Sequence, residues 1–363
     1  MSALSARKHL VLLGTGRAHV HVLKALARQG TGDMNVTLVA PQPYYVEPAM
    51  LPGYLAGGYV LPDIRAPLHR LIETSGAGFA AAQVYSLDPV ARRVQLTSGD
   101  ALSYDVLSID AEPDMDRNEI EAWIPGARHN ALFAHPLEYF IEFWLQLQAL
   151  ARERALQVAV IGSGLPGAEL AMAAAQALSA PHGSRITLLT GDAPLLHAQP
   201  HALQRRLLTR MRALNITVLQ EHCVGLDGRA LQLASGASLA CDAPIIAAGA
   251  GAPVWLRQSG VQIDESGKPA LNERLQSQSH RQIFVAPPAA PDEVGAALEA
   301  NLRAAIGGGV FRKAPANLSR LKVVACGYGH AIAVWGPFGL EGREVWNWKD
   351  RHDRRQLAEL LAP

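Results

Sequence analysis

Two glycine clusters hold the chemistry most open to reading in this chain. The first is His9-Leu-Val-Leu-Leu-Gly14-Thr-Gly16-Arg17-Ala18-His19. The second is Gln157-Val-Ala-Val-Ile-Gly162-Ser-Gly164-Leu-Pro-Gly167-Ala-Glu169. Each follows a short apolar run of strand type and opens an Ala/Leu-rich helical stretch. In that setting the first glycine allows a tight turn and the second lets main chain approach a diphosphate. The third lets the helix pack closely on the strand. The diphosphate then lies at the helix N-terminus, where free N–H groups and the helix dipole attract anions. The second cluster has all three glycines, Gly162, Gly164 and Gly167, followed by Glu169, and is the sharper nucleotide site. In the first cluster the third position is His19, whose side chain forces the helix away from the strand. His19 and His21 read as packing or surface residues rather than catalysts. The end of the second strand of such a unit normally holds an acid that binds a ribose. In the second unit that stretch is Thr190-Gly191-Asp192. Asp192 is therefore the candidate, with the start of the next turn as its plainer role. No arginine cluster stands there to hold a 2′-phosphate, which favours NADH over NADPH.

The elements that must position these turns also repeat. A second strand follows each cluster, Asn35-Val-Thr-Leu-Val39 in one half and Arg185-Ile-Thr-Leu-Leu189 in the other. Strand–turn–strand runs follow over residues 84–110 and 224–248, with Ser98-Gly99 and Ser235-Gly236 marking hairpins. Asp105 and Asp242 stand at matching positions before the last strand of each copy, and Gly249 closes the second copy. Two copies predict an α/β protein with two dinucleotide-binding, Rossmann-like, three-layer domains. The expected division is 1–112 with 252–317 for the first domain, 113–251 for a second inserted in it, and 318–363 for a short C-terminal α+β segment. Residues 136–154 read as a helix leading into the second domain, and 267–306 as the return to the first.

Composition narrows the function classes. Of 363 residues 49% are hydrophobic, ample for sizeable cores. Lys+Arg number 33 against 32 Asp+Glu, so no basic excess argues for nucleic-acid binding. No apolar run reaches the roughly 18 residues of a transmembrane candidate. The apolar stretch near the N-terminus runs straight into the glycine turn, as a buried strand does and a secretory signal does not. The three cysteines, Cys223, Cys241 and Cys326, suit a reducing cytoplasm and form no close pair for a redox disulfide or a zinc site. No metal is expected.

Further stretches carry a family resemblance over nearly the whole chain. They are Gly14-Thr-Gly-Arg-Ala-His19, Met50-Leu-Pro-Gly53 with Ala56-Gly57, Tyr104-Asp-Val-Leu-Ser108, Asn301-Leu-Arg-Ala-Ala305 and Trp346-Asn-Trp-Lys-Asp-Arg-His-Asp-Arg-Arg355. The chain resembles the pyridine nucleotide–disulfide oxidoreductase superfamily. Within it the likeness is to type II NADH dehydrogenases, sulfide:quinone oxidoreductases and the NADH-dehydrogenase-like module fused to selenide, water dikinase. The resemblance implies FAD in the first fold, on Gly14, Gly16, Arg17, Ala18 and His19, with Met50, Leu51 and Pro52 beside the flavin ring. It implies NADH or NADPH in the second, on Gly162, Gly164, Gly167, Glu169, Asp192 and Gly249. The implied reaction passes electrons from NAD(P)H through flavin to a quinone or other acceptor, with no acid–base triad.

Three departures fall on the flavin side. Pro287-Pro288 replaces the Gly-Asp pair whose aspartate holds the ribityl chain in relatives, and proline offers neither the N–H nor the carboxylate. Ala111-Glu112-Pro113-Asp114 replaces a small turn, and its charge is unfavourable beside a diphosphate. The segment before Asn301 is short, only 288–295. These changes predict weakened or lost FAD. They keep in view an altered, non-catalytic descendant that binds a nucleotide or a protein partner. Sulfide oxidation needs two cysteines flanking the flavin, so a lone Cys326 reads as structural. The tail aromatics Trp335, Phe338, Trp346 and Trp348 lie near Lys349, Arg351, Arg354 and Arg355. Such a segment suits peripheral contact with the inner face of a membrane or a homodimer interface.

Overall fold

The computed structural model describes residues 7–265, 267–288, 290–315 and 321–361. The first unit opens with β1 (Lys8–Leu13), the Gly14 turn and α1 (Arg17–Gln29). β2 (Met34–Ala40), α2 (Leu51–Leu55), β3 (Gly78–Ala81) and β4 (Val106–Ile109) follow. Its sheet runs in the order Ile283–Val285, β4, β1, β2, β3, with every pair parallel. All four residues of β4 are buried, as a parallel strand covered on both faces demands.

In the second unit α3 (Leu137–Glu153) follows the edge strand Leu132–Phe133, and its fully buried Trp144 donates its indole N–H to Leu55 O at 3.1 Å. β5 (Gln157–Ile161), α4 (Leu165–Leu178), β6 (Arg185–Leu189), α5 (His201–Ala213) and β7 (Ala243–Ile246) follow. The second sheet is also parallel, in the order Leu132–Phe133, β7, β5, β6, Thr217–Leu219. Gly14 and Gly162 thus end strands of different sheets.

The repeat extends to details. Each copy carries a three-stranded antiparallel meander with an irregularity in its first strand, at 84/86 and 223/225. Gly99 and Gly236 adopt φ of 92° and 86° at the hairpin turns. Asp105 accepts the His9 N–H at 2.7 Å, and Asp242 the Gln157 N–H at 2.8 Å. The chain crosses back to the first sheet through Ile283–Val285 and continues as α6 (Asp292–Gly307), which packs along α1. Buried Asn301 bonds Arg274 O and the Arg312 main chain, tying α6 to the segments on either side. The C-terminal part is an antiparallel sheet of Leu321–Ala325, Ala331–Trp335 and Phe338–Gly342, then α7 (Arg343–Leu361). The architecture is the expected α/β one with a short α+β end.

Candidate functional site

At the second glycine turn the three glycines do different work. A Cβ on Gly162 would lie 2.9 Å from Ala247 O, and one on Gly167 would lie 2.4 Å from Gly162 O. Those two allow close packing of β5, β7 and α4. A Cβ on Gly164 would meet only Pro166, at 3.5 Å, and Gly164 is exposed. The N-terminus of α4 is therefore open to an incoming group. Pro166 in the first turn lacks an N–H, a loss tolerated where the helix leaves its first donors unpaired. Gly249, with φ of 77°, follows β7 and is exposed, with Ile120 its neighbour. Asp192 stands just past β6, its carboxylate almost fully exposed and 3.0 Å from His222 Nε2.

Glu169 departs from its expected place as a cofactor contact. Its carboxylate accepts the Ala325 N–H at 3.2 Å, which turns it toward the C-terminal sheet. Burial pushes its pKa up to about 7, against the pull of Lys349.

At the first turn Gly14 adopts φ of 94°, and a Cβ there would lie 2.3 Å from Asp110 O. Gly16 faces the Asp110 side chain so closely that a Cβ would fall 2.1 Å from its carboxyl carbon. The buried Asp110 carboxyl accepts the His19 N–H at 3.0 Å and also bonds the Ala18 N–H. His19 is fully buried, its Nδ1 2.8 Å from Gly14 O and its Nε2 2.8 Å from Ser108 Oγ. A carbonyl only accepts, so Nδ1 carries the hydrogen and Nε2 accepts from Ser108. Burial lowers the His19 pKa, opposed by the Asp110 carboxyl and the Gly14 carbonyl. Burial raises the Asp110 pKa, opposed by His19 and the two main-chain N–H groups.

Arg17 is committed within the chain. It donates to Asp292 Oδ1 at 2.9 Å and Gln356 Oε1 at 3.0 Å, and lies 3.6 Å from Glu47 Oε2. A cavity of about 280 Å³ opens beyond the ends of β1 and β2, lined by Gly14, Gly16, Arg17, Gln42, Asp110, Glu112, Glu138 and Pro288 among others. Met50, Leu51 and Pro52, expected beside a flavin ring, do not line it. Met50 and Pro52 are buried, and α2 packs against α4, which draws this stretch into the core.

The fit to a flavin dinucleotide is decided at the end of α1. The diphosphate belongs at that helix N-terminus, and the Asp110 carboxyl already fills the position. Glu112 and Glu138 add acidity at the cavity, and Pro288 supplies neither donor nor carboxylate. As it stands, this turn does not accommodate the diphosphate. The acidity expected at Glu112 and Asp114 is thus preceded by that of Asp110, which stands against the turn itself. The signal lay in the repeat: counted from Asp105 and Asp242, Asp110 matches Ala247.

The three cysteines are free and buried, and burial pushes the Cys326 thiol up to about 12. No group of three or more metal-ligating side chains occurs among the described residues.

Comparison with known proteins agrees with this architecture. The chain is 29% identical over 188 residues to the external NADH-ubiquinone oxidoreductase 2, mitochondrial, of Saccharomyces cerevisiae, covering 46% of this chain and 33% of the relative. It is 30% identical over 143 residues to the sulfide-quinone reductase of Aquifex aeolicus, covering 39% of this chain and 32% of the relative. The chain thus spans about a third of the length of these curated relatives. The solved sulfide:quinone oxidoreductase of Aquifex aeolicus superposes with a TM-score of 0.76 at 18% identity, over 98% of this chain and 91% of that one. NDH2 of Plasmodium falciparum in complex with NADH gives 0.76 at 12% identity, over 97% of each chain. At such identity these structures establish the fold. The sequence match to the family described as pyridine nucleotide-disulphide oxidoreductase covers residues 8–300, and this chain belongs to that family.

Proposed function

We propose that the protein oxidises NAD(P)H and delivers the electrons to a quinone or another acceptor. The nicotinamide nucleotide is held on the turn Gly162–Gly167, and FAD enters the first unit only by displacing the Asp110 side chain, which leaves it weakly held. The observation that carries this reading is the open N-terminus of α4, where Gly164 is exposed and a Cβ on it would meet only Pro166, at 3.5 Å. There the helix dipole and free N–H groups attract a diphosphate, and we assign to Asp192, exposed just past β6, the role of the acid that takes a ribose hydroxyl. The family match and the acceptors named for the two curated relatives support the reaction class. In such enzymes the flavin supplies the electron-transfer chemistry and the protein supplies position and electrostatics.

No helix among the described residues is long and apolar enough to cross a membrane. Peripheral contact through the C-terminal sheet fits the lipid-soluble ubiquinone named for the yeast relative. A second reading, an altered descendant that binds nucleotide without turnover, is favoured by the filled first turn. One titration and one assay separate the two. The protein binds NADH, and Gly164→Val removes that binding by blocking the main-chain approach. With excess FAD and a soluble quinone, the unaltered protein consumes NADH. NADH binding without turnover at saturating FAD selects the second reading, and NADH binding unaffected by Gly164→Val rejects the site.

A further inference from the structure

The two halves of the molecule provide an internal comparison. Main-chain hydrogen bonds place Asp110 and Ala247 at equivalent positions: Asp110 N–H donates to Leu13 O and Ala247 N–H to Ile161 O, both at 2.9 Å. Their carbonyl oxygens stand against Gly14 and Gly162 in turn. What differs is the side chain. In the second unit a methyl group leaves the helix N-terminus open at Gly164. In the first unit a carboxyl group reaches the Ala18 and His19 N–H groups and lies against Gly16.

We infer that Asp110 is a built-in anion that occupies the diphosphate position of the first turn, and that this residue decides which of the two turns takes a dinucleotide. Three arguments converge. The carboxyl is nearly buried and accepts the donors that a diphosphate would use. Its bulk lies where main chain must be approached, since Gly16 faces the carboxyl with no room for even a methyl group. Its charge, where ionised, repels a second anion at the same spot. The surroundings hold it in place: His19 bridges Gly14 O and Ser108 Oγ, which fixes the first turn of α1 over the carboxyl. Nearby Arg17 does not compensate, because Asp292, Gln356 and Glu47 engage it. A flavin dinucleotide must displace the Asp110 side chain to enter, whereas a nicotinamide dinucleotide meets no such competitor at the second turn. The inference deepens the function proposed above and rests on its assignment of the open turn to NAD(P)H.

The test is a reciprocal pair of substitutions in the full chain, read by titration with FAD and with NADH. Asp110→Ala clears the first turn and tightens FAD binding by about tenfold or more, leaving NADH affinity unchanged. Ala247→Asp installs the same carboxyl in the second turn and weakens NADH binding by about tenfold or more. Both effects together support the inference. It is overturned if Asp110→Ala, with its NADH affinity intact, binds FAD no better than the unaltered protein. It is equally overturned if the unaltered protein keeps FAD through exhaustive dialysis, or if folded Ala247→Asp binds NADH normally. Should Asp110→Ala fail to fold, Ala247→Asp decides alone. Failure of the proposed function has a separate signature, in which the unaltered protein does not bind NADH while the FAD ratio between unaltered protein and Asp110→Ala stays measurable.

Discussion

At the scale of single residues, Ser108, His19, Gly14 and Asp110 form one hydrogen-bond network at the first turn. Ser108 donates to His19, His19 to Gly14 O, and the Asp110 carboxyl receives the first main-chain donors of α1. Gly16 has an ordinary φ of −61°, so alanine there strains no backbone, and the three atoms nearest its Cβ all belong to the Asp110 carboxyl. Gly16→Ala should therefore destabilise the protein by about 1–3 kcal/mol through overpacking. In an Asp110→Ala background the cost should shrink toward zero, a coupling that urea melts of the four proteins will measure. An equal cost in both backgrounds would place the carboxyl elsewhere. The repeat sets Asp110 against Ala247, but the contacts themselves are not legible along the chain, because Asp110 and His19 are 91 residues apart. The glycine motif says where an anion sits; it does not say whether the protein brings its own.

At the scale of elements, local signals carried far. Strand–turn–helix units, hairpin glycines and paired aspartates are all written within a few residues of one another, and the structure reproduces them in both halves. Helix 137–153 lies within the apolar stretch read at 136–154. What escaped was packing between distant elements, α2 against α4 and α4 against the C-terminal sheet. Those contacts draw Met50 and Pro52 into the core and turn Glu169 away from the glycine turn. Glu169 gives a measurable consequence. Its pKa rises from 4.5 to about 7 because burial disfavours the anion. A folded-state pKa above the unfolded one means the folded protein holds that proton more tightly. The associated stability is fully present below about pH 4.5 and is lost as pH rises through about 7. Glu169→Gln keeps an acceptor for the Ala325 N–H but cannot titrate. Urea melts should show unaltered protein losing roughly 1–3 kcal/mol relative to Glu169→Gln between pH 4.5 and pH 8. Parallel stability curves would show that Glu169 does not carry this shift.

At the scale of the whole molecule, the C-terminal sheet has two unlike faces. Val324, Ile332 and Val334 point inward and are buried. Cross-strand pairs Leu321–Trp335, Trp335–Phe338 and Ala333–Leu340 define the other face. There Trp335 is 63%, Phe338 75% and Leu340 72% exposed. An apolar patch of adjacent large side chains is a mark of an interaction surface. Beside it runs a groove of about 610 Å³ between α5 and the Gly336-Pro337 turn, lined by His201, Arg205 and Arg212 among others. Aromatics flanked by cations match the demands of an anionic bilayer surface, where rings enter the interface and arginines meet lipid phosphates. Such a surface would bring the protein to a lipid-soluble acceptor without a spanning helix. The full chain should sediment with vesicles containing anionic lipid, and less so as salt rises, because the cationic part of the attraction is screened. A variant with Trp335, Phe338 and Leu340 all changed to serine should stay in solution while binding NADH unchanged, since the second glycine turn is untouched. If the unaltered protein ignores vesicles but sediments as a dimer that the serine variant does not form, the face is instead a contact between two copies of this chain.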